Sequence, residues 1–379
     1  MHLLIKDLIL EEINKEGKIP FFEFMRMALY HPEYGYYNSE KERVGKQGDY
    51  YTSPAVHRMF GELIAKQLEE MWMIMGKELF TVVEMGANRG WLCHDIIQSV
   101  VHEYPEFYSN FHYIIVESNP YAREKQRSLL ESLEGTEEKV SWHTYTEDGF
   151  SFDKIRGCFL SNEFVDALPV HRLKMKNKVL KETYVGYNGV NFCEIDDAVS
   201  VPALQKYLET NKISLEEDQV CEVNLGAADW LRHVSEKLDK GFIITIDYGD
   251  TRDGLYHENM REGTLRCYYD HTFNRDYFEQ LGEQDITAHV DFTNLINAGK
   301  AVQLEVTGFI KQSHFLIALG ILERLHDARH DTGTILKLKN LLHPEAMGEV
   351  FKVLIQHKNI ENPQLASLRP LQSITMSNS

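Results

Sequence analysis

The chain has 379 residues, enough for one large elaborated domain or two ordinary ones, and its 43% hydrophobic and 26% charged residues are the balance of a water-soluble globular protein. Forty Lys and Arg stand against 58 Asp and Glu, a formal net charge of −18, which argues against a nucleic-acid partner and favours neutral or cationic substrates. Five cysteines without a C-x-x-C pair point to reduced thiols, no apolar run approaches the ~18 residues of a membrane span, and an N-terminus that turns acidic at Glu11 and Glu12 reads as neither signal nor transit peptide, so a cytoplasmic protein without structural metal is expected.

In chain order, residues 3–29 carry apolar positions at helical spacing, broken near Gly17–Pro20, which predicts two short helices. The aromatic turn Tyr30-His31-Pro32-Glu33-Tyr34-Gly35-Tyr36-Tyr37 reads first as a packed surface corner, with the rim of an active site as the alternative. The loop Gly45–Pro54 is rich in small and hydroxyl residues and precedes an amphipathic helix over Val56–Met75. Its amides, with Gly48, Asp49, Thr52 and Ser53, can meet a zwitterionic ligand or simply cap the helix.

Next comes the stretch around which the chain is organised. The β-type run Thr81-Val82-Val83 ends in Glu84, and the turn Met85-Gly86-Ala87-Asn88-Arg89-Gly90 leads into a helix over Cys93–Val101. Glycine permits positive φ where backbone amides must approach a ligand, and asparagine tolerates that region better than most residues. A second run, Tyr113–Val116, ends in Glu117 about 27 residues past Gly90, followed by Ser118. An acid closing the second strand can accept both hydroxyls of a ribose. The dinucleotide pattern G-x-G-x-x-G is absent, and E-x-G-x-x-x-G is instead the spacing of S-adenosylmethionine (SAM) methyltransferases.

Further strands are predicted at Val140–Thr144 and Arg156–Ser161, the latter followed by Asn162-Glu163-Phe164-Val165-Asp166-Ala167-Leu168-Pro169. Asn162, Glu163 and Asp166 then lie just past a strand's carboxyl end, where ligands bind open α/β sheets. Residues 170–217 read as an insertion with a hairpin turn at Asn188-Gly189. A helix over Ala227–Leu238 precedes a fifth strand, Gly241–Ile246, that ends in Asp247. A second insertion, 250–290, closes on Thr287-Ala288-His289-Val290-Asp291-Phe292. Strands at Val302–Thr307 and Glu349–Ile355 flank a helix over Ser313–Leu325, and the tail from Asn362 reads as loose.

Taken together these elements predict an α/β fold: a seven-stranded, Rossmann-like sheet of class I SAM methyltransferases with inserted β-hairpin and helical elements and an N-terminal helical extension. The expected organisation is 1–75 as extension and cofactor-closing loop, 76–360 as methyltransferase domain with insertions at about 170–217 and 250–290, and 361–379 as tail.

The motifs Tyr30-His31-Pro32-x-Tyr34-Gly35-Tyr36-Tyr37, Gly48-Asp49-x-x-Thr52-Ser53-Pro54, Asn162-Glu163-Phe164-x-Asp166-Ala167-Leu168-Pro169, Ile246-Asp247-Tyr248-Gly249 and Ala288-His289-Val290-Asp291-Phe292 resemble the MidA family, from about residue 3 to about 360. These are class I SAM-dependent methyltransferases of bacteria and mitochondria, whose mitochondrial members are linked to respiratory complex I assembly and methylate arginine in one of its subunits. The resemblance implies a SAM-dependent protein-arginine methyltransferase with a protein substrate, a respiratory-complex subunit among the candidates. A homodimer is a further expectation, and the acidic charge and the lack of a long apolar run predict no nucleic-acid partner and no membrane span. Carried onto this sequence, Glu84, Gly86, Asn88, Gly90, Glu117 and Ser118 hold SAM, and Gly48, Asp49, Thr52 and Ser53 close over its amino acid part. Two positions depart from the family: Gly86-Ala87-Asn88-Arg89-Gly90 replaces Gly-Pro-Gly-Arg-Gly, and Ala55 stands where glutamate often follows Thr-Ser-Pro.

Carboxylates on one side of a guanidinium can localise its charge and leave the far nitrogen nucleophilic. Asn162, Glu163 and Asp166 are the candidates, with Asp247 and the His289/Asp291 pair as proton acceptors or orienters. A structural histidine bonded to Asp291 is the alternative for His289. Other readings are a small-molecule O- or N-methyltransferase, a SAM-binding assembly factor without catalysis, and a nicotinamide enzyme, which the turn spacing disfavours.

Overall fold

Seven of the apolar runs pair into one sheet. In the computed structural model, which describes residues 4–41, 53–133, 135–136, 138–327, 331–343 and 347–371, these are β1 (Phe80–Met85), β2 (Phe111–Val116), β3 (Val140–His143), β4 (Ile155–Asn162), β5 (Leu238–Asp250), β6 (Glu305–Lys311) and β7 (Phe351–Lys358). Their spatial order is β3-β2-β1-β4-β5-β7-β6. The first five are parallel, and β7 runs antiparallel to both its neighbours. All six residues of β1 are buried, as a parallel strand covered on both faces requires. This is the expected class I methyltransferase sheet, with a short eighth strand not expected, Val290–Asp291, which pairs in parallel with Gly249–Asp250 of β5. The sixth strand begins three residues later than predicted, because Val302 and Leu304 first donate their N–H groups back to the Gly299 carbonyl at 3.0 and 2.9 Å, closing a turn.

The described residues gather into two compact units of three segments each. Those within 51–164, 231–248 and 299–379 form the sheet unit. Those within 1–50, 165–230 and 249–298 form the second. In the sheet unit, helices Met59–Ile74 and Trp91–Glu103 bury Phe60, Leu68, Trp72, Ile96 and Val100 in one core with Val82, Ile115, Leu160 and Ile244. The segment predicted to be a loose tail belongs to this core as far as it is described. Leu365 is 3% exposed, and the Ala366 N–H donates to Glu70 Oε1 at 2.9 Å. An apolar side chain with a core to enter and a buried backbone donor with an acceptor outweigh the terminal position.

The second unit is built from antiparallel pairs. Strand Val179–Tyr187 pairs with His171–Lys176, Phe192–Asp197 and Ile19–Pro20, and Val220–Val223 joins along His171–Lys176. The hairpin expected at Asn188-Gly189 is present, closed by Asn188 N–H to Asn191 carbonyl. Helices Ile5–Glu16 and Phe21–Tyr30 present Ile9, Ile13, Phe24 and Leu29 to a core that also holds Val185, Phe192, Cys267 and Ile286. The N-terminal helices and the two insertions thus share one core.

Candidate active site

Sheet register places the predicted residues. Met85 of β1 lies beside Val116 of β2 and Ser161 of β4, and Ser161 lies beside Thr245 of β5. The residues just past that row, Gly86, Glu117, Asn162 with Glu163, and Asp247, therefore share the carboxyl edge of the sheet.

Gly86 (φ +63), Asn88 (φ +49) and Gly90 (φ +79) all occupy positive φ, so asparagine does at the middle position what glycine does at the outer two. The Gly86 N–H donates to the Val116 carbonyl at 2.9 Å, which fixes the turn to β2. Gly86 is exposed, and a Cβ there would come within 3.3 Å of the Phe164 ring. A Cβ at Gly90 would come within 3.1 Å of Gln126. Positive φ and these close neighbours both favour glycine at the two positions.

Glu117 is half-buried, and the exposed Ser118 follows it. The carboxylate accepts the Asn119 N–H at 3.0 Å and Gln126 Nε2 at 3.4 Å, and the N–H groups of Ser118 and Asn88 also face it. Burial raises its pKa, and those donors oppose the rise. Glu84 is 3% exposed and accepts the Tyr113 hydroxyl at 2.9 Å; burial pushes its pKa up to about 8, with Glu117 nearby adding to the shift.

Glu163 holds φ +52, a strained conformation for a residue with a Cβ. Its N–H donates to the Ile246 carbonyl at 2.9 Å, and its Oε1 accepts the Ser53 N–H at 3.2 Å and Asn162 Nδ2 at 3.1 Å. Asn162 Oδ1 is buried with no hydrogen-bond partner among the described residues. Ser53 is fully buried, and its hydroxyl donates to Gln312 Oε1 at 3.2 Å. Gly48, Asp49 and Thr52 lie outside the described residues. Asp247 is buried, with Oδ1 accepting the Tyr248 N–H at 2.9 Å.

The other candidates belong to the second unit. Three donors hold the carbonyls that follow Phe164: Asn224 Nδ2 on Val165 at 3.1 Å, the Ala288 N–H on Asp166 at 3.1 Å, and the Tyr30 hydroxyl on Ala167 at 2.9 Å. Asp166 itself is 5% exposed. His289, half-buried, donates its N–H to the Thr264 hydroxyl at 3.2 Å. Asp291 accepts the hydroxyls of Tyr207 and Tyr256 on Oδ2, at 2.8 and 3.3 Å, and the Asn294 N–H on Oδ1 at 3.1 Å. That last bond caps helix Phe292–Ala301.

Four residues at these sites escape a reading of the sequence: Gln126, Gln312, Asn224 and Tyr30. Glutamine and asparagine carry no periodic or charge signal of their own. Tyr30 stood in a motif read mainly as packing, and it does pack, yet its hydroxyl also holds the carbonyl next to Asp166.

A family profile described as "Putative S-adenosyl-L-methionine-dependent methyltransferase" matches residues 63–310. Mitochondrial protein arginine methyltransferase NDUFAF7 of human is 28% identical over 93% of this chain and 83% of its own length, and that of zebrafish, Danio rerio, is 30% identical over 90% and 84%. A Burkholderia thailandensis protein solved bound to S-adenosyl-homocysteine superposes with a TM-score of 0.86 at 27% identity, covering 96% of this chain and 94% of that one. These relatives overturn one expectation. The curated proteins are named as mitochondrial, so the cytoplasmic reading does not stand; it rested on the first residues and on bulk composition, which do not encode a compartment. The profile covers well over half of the chain, and the chain belongs to this family of S-adenosyl-L-methionine-dependent methyltransferases, with S-adenosyl-L-methionine as its cofactor.

Proposed function

We propose that the chain methylates arginine in a protein substrate, with the acceptor bound at Asn162 and Glu163. The observation that carries this reading is the pair itself. Asn162 Oδ1 is a buried acceptor with no partner among the described residues, beside a carboxylate held rigidly at the ligand edge in a strained conformation. Such acceptors suit a planar cation with several N–H donors. The net charge of −18 and the names of the relatives support the same substrate class.

Bound SAM supplies a methyl group on a sulfonium, an electrophile that needs no covalent help from the protein. What remains for the chain is position, charge and one proton. Glu84, Gly86, Asn88 and Gly90 would form the turn that holds the cofactor, Glu117 and Ser118 would take the ribose, and Gly48, Asp49, Thr52 and Ser53 would close over the amino acid part. Glu163 would grip the guanidinium and localise its charge, with Asp247 at the same sheet edge orienting the acceptor or taking its proton; Asp166 and His289, which belong to the second unit, remain candidates on sequence grounds. Asp291 has its carboxylate filled by two tyrosines and a helix cap, and its part is to brace. In this proposal the sheet unit carries the cofactor residues, and residues 365–367 belong to its core. By the family resemblance that protein is a respiratory-complex subunit, and the enzyme works as a homodimer.

The test is incubation with methyl-labelled SAM and a lysate of the host, followed by acid hydrolysis of the protein fraction. Label in methylarginine is expected. Label confined to small molecules, or to another amino acid, overturns the arginine assignment.

A further inference from the structure

Helix Pro120–Leu130 carries the sequence Arg-Glu-Lys-Gln-Arg-Ser across its middle, and the residues it buries are Gln126 and Leu130. Gln126 is fully buried. Its amide has a different partner for each polarity. Nε2 donates to the Asn88 carbonyl at 2.7 Å and to Glu117 Oε2 at 3.4 Å, while Oε1 accepts the Trp142 indole N–H at 2.9 Å. An indole N–H can only donate and a carbonyl can only accept, so these partners fix which way the amide points. The Asn88 N–H in turn faces Glu117. Glu117, Asn88 and Gln126 therefore close a ring that joins the acid after β2 to the middle of the glycine turn.

We infer that Gln126 is a positioning residue for cofactor binding: it sets the Glu117 carboxylate and the Asn88 peptide in one fixed relation, with Trp142 holding its amide in place. The inference rests on the proposed ribose role of Glu117. Leucine or methionine of similar size would fill the space but offer no donor, and glutamate would offer Trp142 its acceptor while turning a second carboxylate on Glu117. The departure at Asn88 gives the amide added weight. A non-glycine residue at φ +49 is disfavoured on its own, and two hydrogen bonds to its peptide hold it there.

The experiment measures S-adenosylhomocysteine affinity by calorimetry for wild type, Gln126→Leu, Glu117→Gln and the double variant, with thermal unfolding of each. Each single change should weaken binding about tenfold. Because Gln126 acts through Glu117, the double variant should be no more than about threefold weaker than the worse single one. Gln126→Leu should also lose discrimination between S-adenosylhomocysteine and its 2′-deoxyribose analogue, which simple loss of packing would leave intact. Should the leucine variant fail to fold, Trp142→Phe frees the amide at a half-buried site and should weaken binding about threefold, again only when Glu117 is present. Full multiplication of the two single losses, or unchanged discrimination, overturns the role of Gln126. No effect of Glu117→Gln on affinity overturns the ribose assignment beneath it instead.

Discussion

Glu117 and Asp291 are both acids at the end of a β-strand, and burial raises the pKa of both. Their surroundings differ in kind. Glu117 is half-buried, and backbone N–H groups and one amide hold its carboxylate in place. Asp291 is 8% exposed, and two tyrosine hydroxyls and a helix N–H already fill its oxygens. The first arrangement fits the proposed ligand-binding role, and the second fits a brace. Glu163, fixed by one backbone N–H and one asparagine amide at the same sheet edge, sits with Glu117 in this respect.

The comparison breaks most visibly at Glu163. Glu163→Gln should leave S-adenosylhomocysteine affinity within about threefold of wild type while methyl transfer falls a hundredfold or more, ~3 kcal/mol of transition-state stabilisation. Equal activity in the variant would make the acid structural. At Asp291 the opposite pattern is expected. Asp291→Ala removes a cap and the shortest acceptor of two buried hydroxyls, which keep only longer contacts with each other and with the Glu222 carbonyl, so stability in urea should fall by ~1–2 kcal/mol with turnover of the folded enzyme little changed. A hundredfold slower variant of undiminished stability would move Asp291 into the chemistry.

Two pH measurements sharpen the contrast. The folded-state pKa of Glu84 is raised from its usual 4.5 to about 8. Between those values the folded protein keeps a proton that the unfolded chain releases, so stability of the cofactor-free protein should decline as pH rises through that window. Glu84→Gln should flatten the decline, which is on the order of several kcal/mol across that window. If denaturation curves of the two proteins stay parallel from pH 5 to 8, Glu84 does not carry a raised pKa. For Glu117 the sign concerns binding: its pKa is raised, and only the carboxylate accepts two ribose hydroxyls. S-adenosylhomocysteine affinity should therefore weaken as pH falls, by up to about tenfold, and Glu117→Gln should remove that dependence.

Much of the sheet was legible because a parallel strand buried on both faces must be written as an unbroken apolar run, and Thr81–Val83, Tyr113–Val116 and Gly241–Ile246 are such runs. Glu117 was legible as the acid just past Tyr113–Val116, whereas Glu84 and Asp247, read as strand ends, lie buried within β1 and β5. What stayed hidden is neutral polar structure. Gln126 sits in a charged helix and looks like part of a solvated face, and Gln312 and Asn224 announce nothing until their partners, many residues away, are brought near. Leu365 was misjudged because a single leucine in a terminal segment gives no periodicity to read. The grouping of the N-terminal helices with both insertions is likewise a fact of tertiary packing that no local pattern records.

That grouping bears on how the molecule is made. Each unit is assembled from three separated stretches of chain, so neither can be obtained by cutting the polypeptide once. A ribosome that has released residues up to 164 has delivered β1 to β4, yet β4 still lacks the neighbour that pairs with it from Ile155 to Asn162. Until residue 238 and beyond emerge, that strand presents an apolar edge with unmatched backbone groups, the form in which β-proteins associate wrongly. Fragments ending near 164 should accordingly collect as aggregates, and insertion tags are better placed in the exposed loop at Gly189 than between the units.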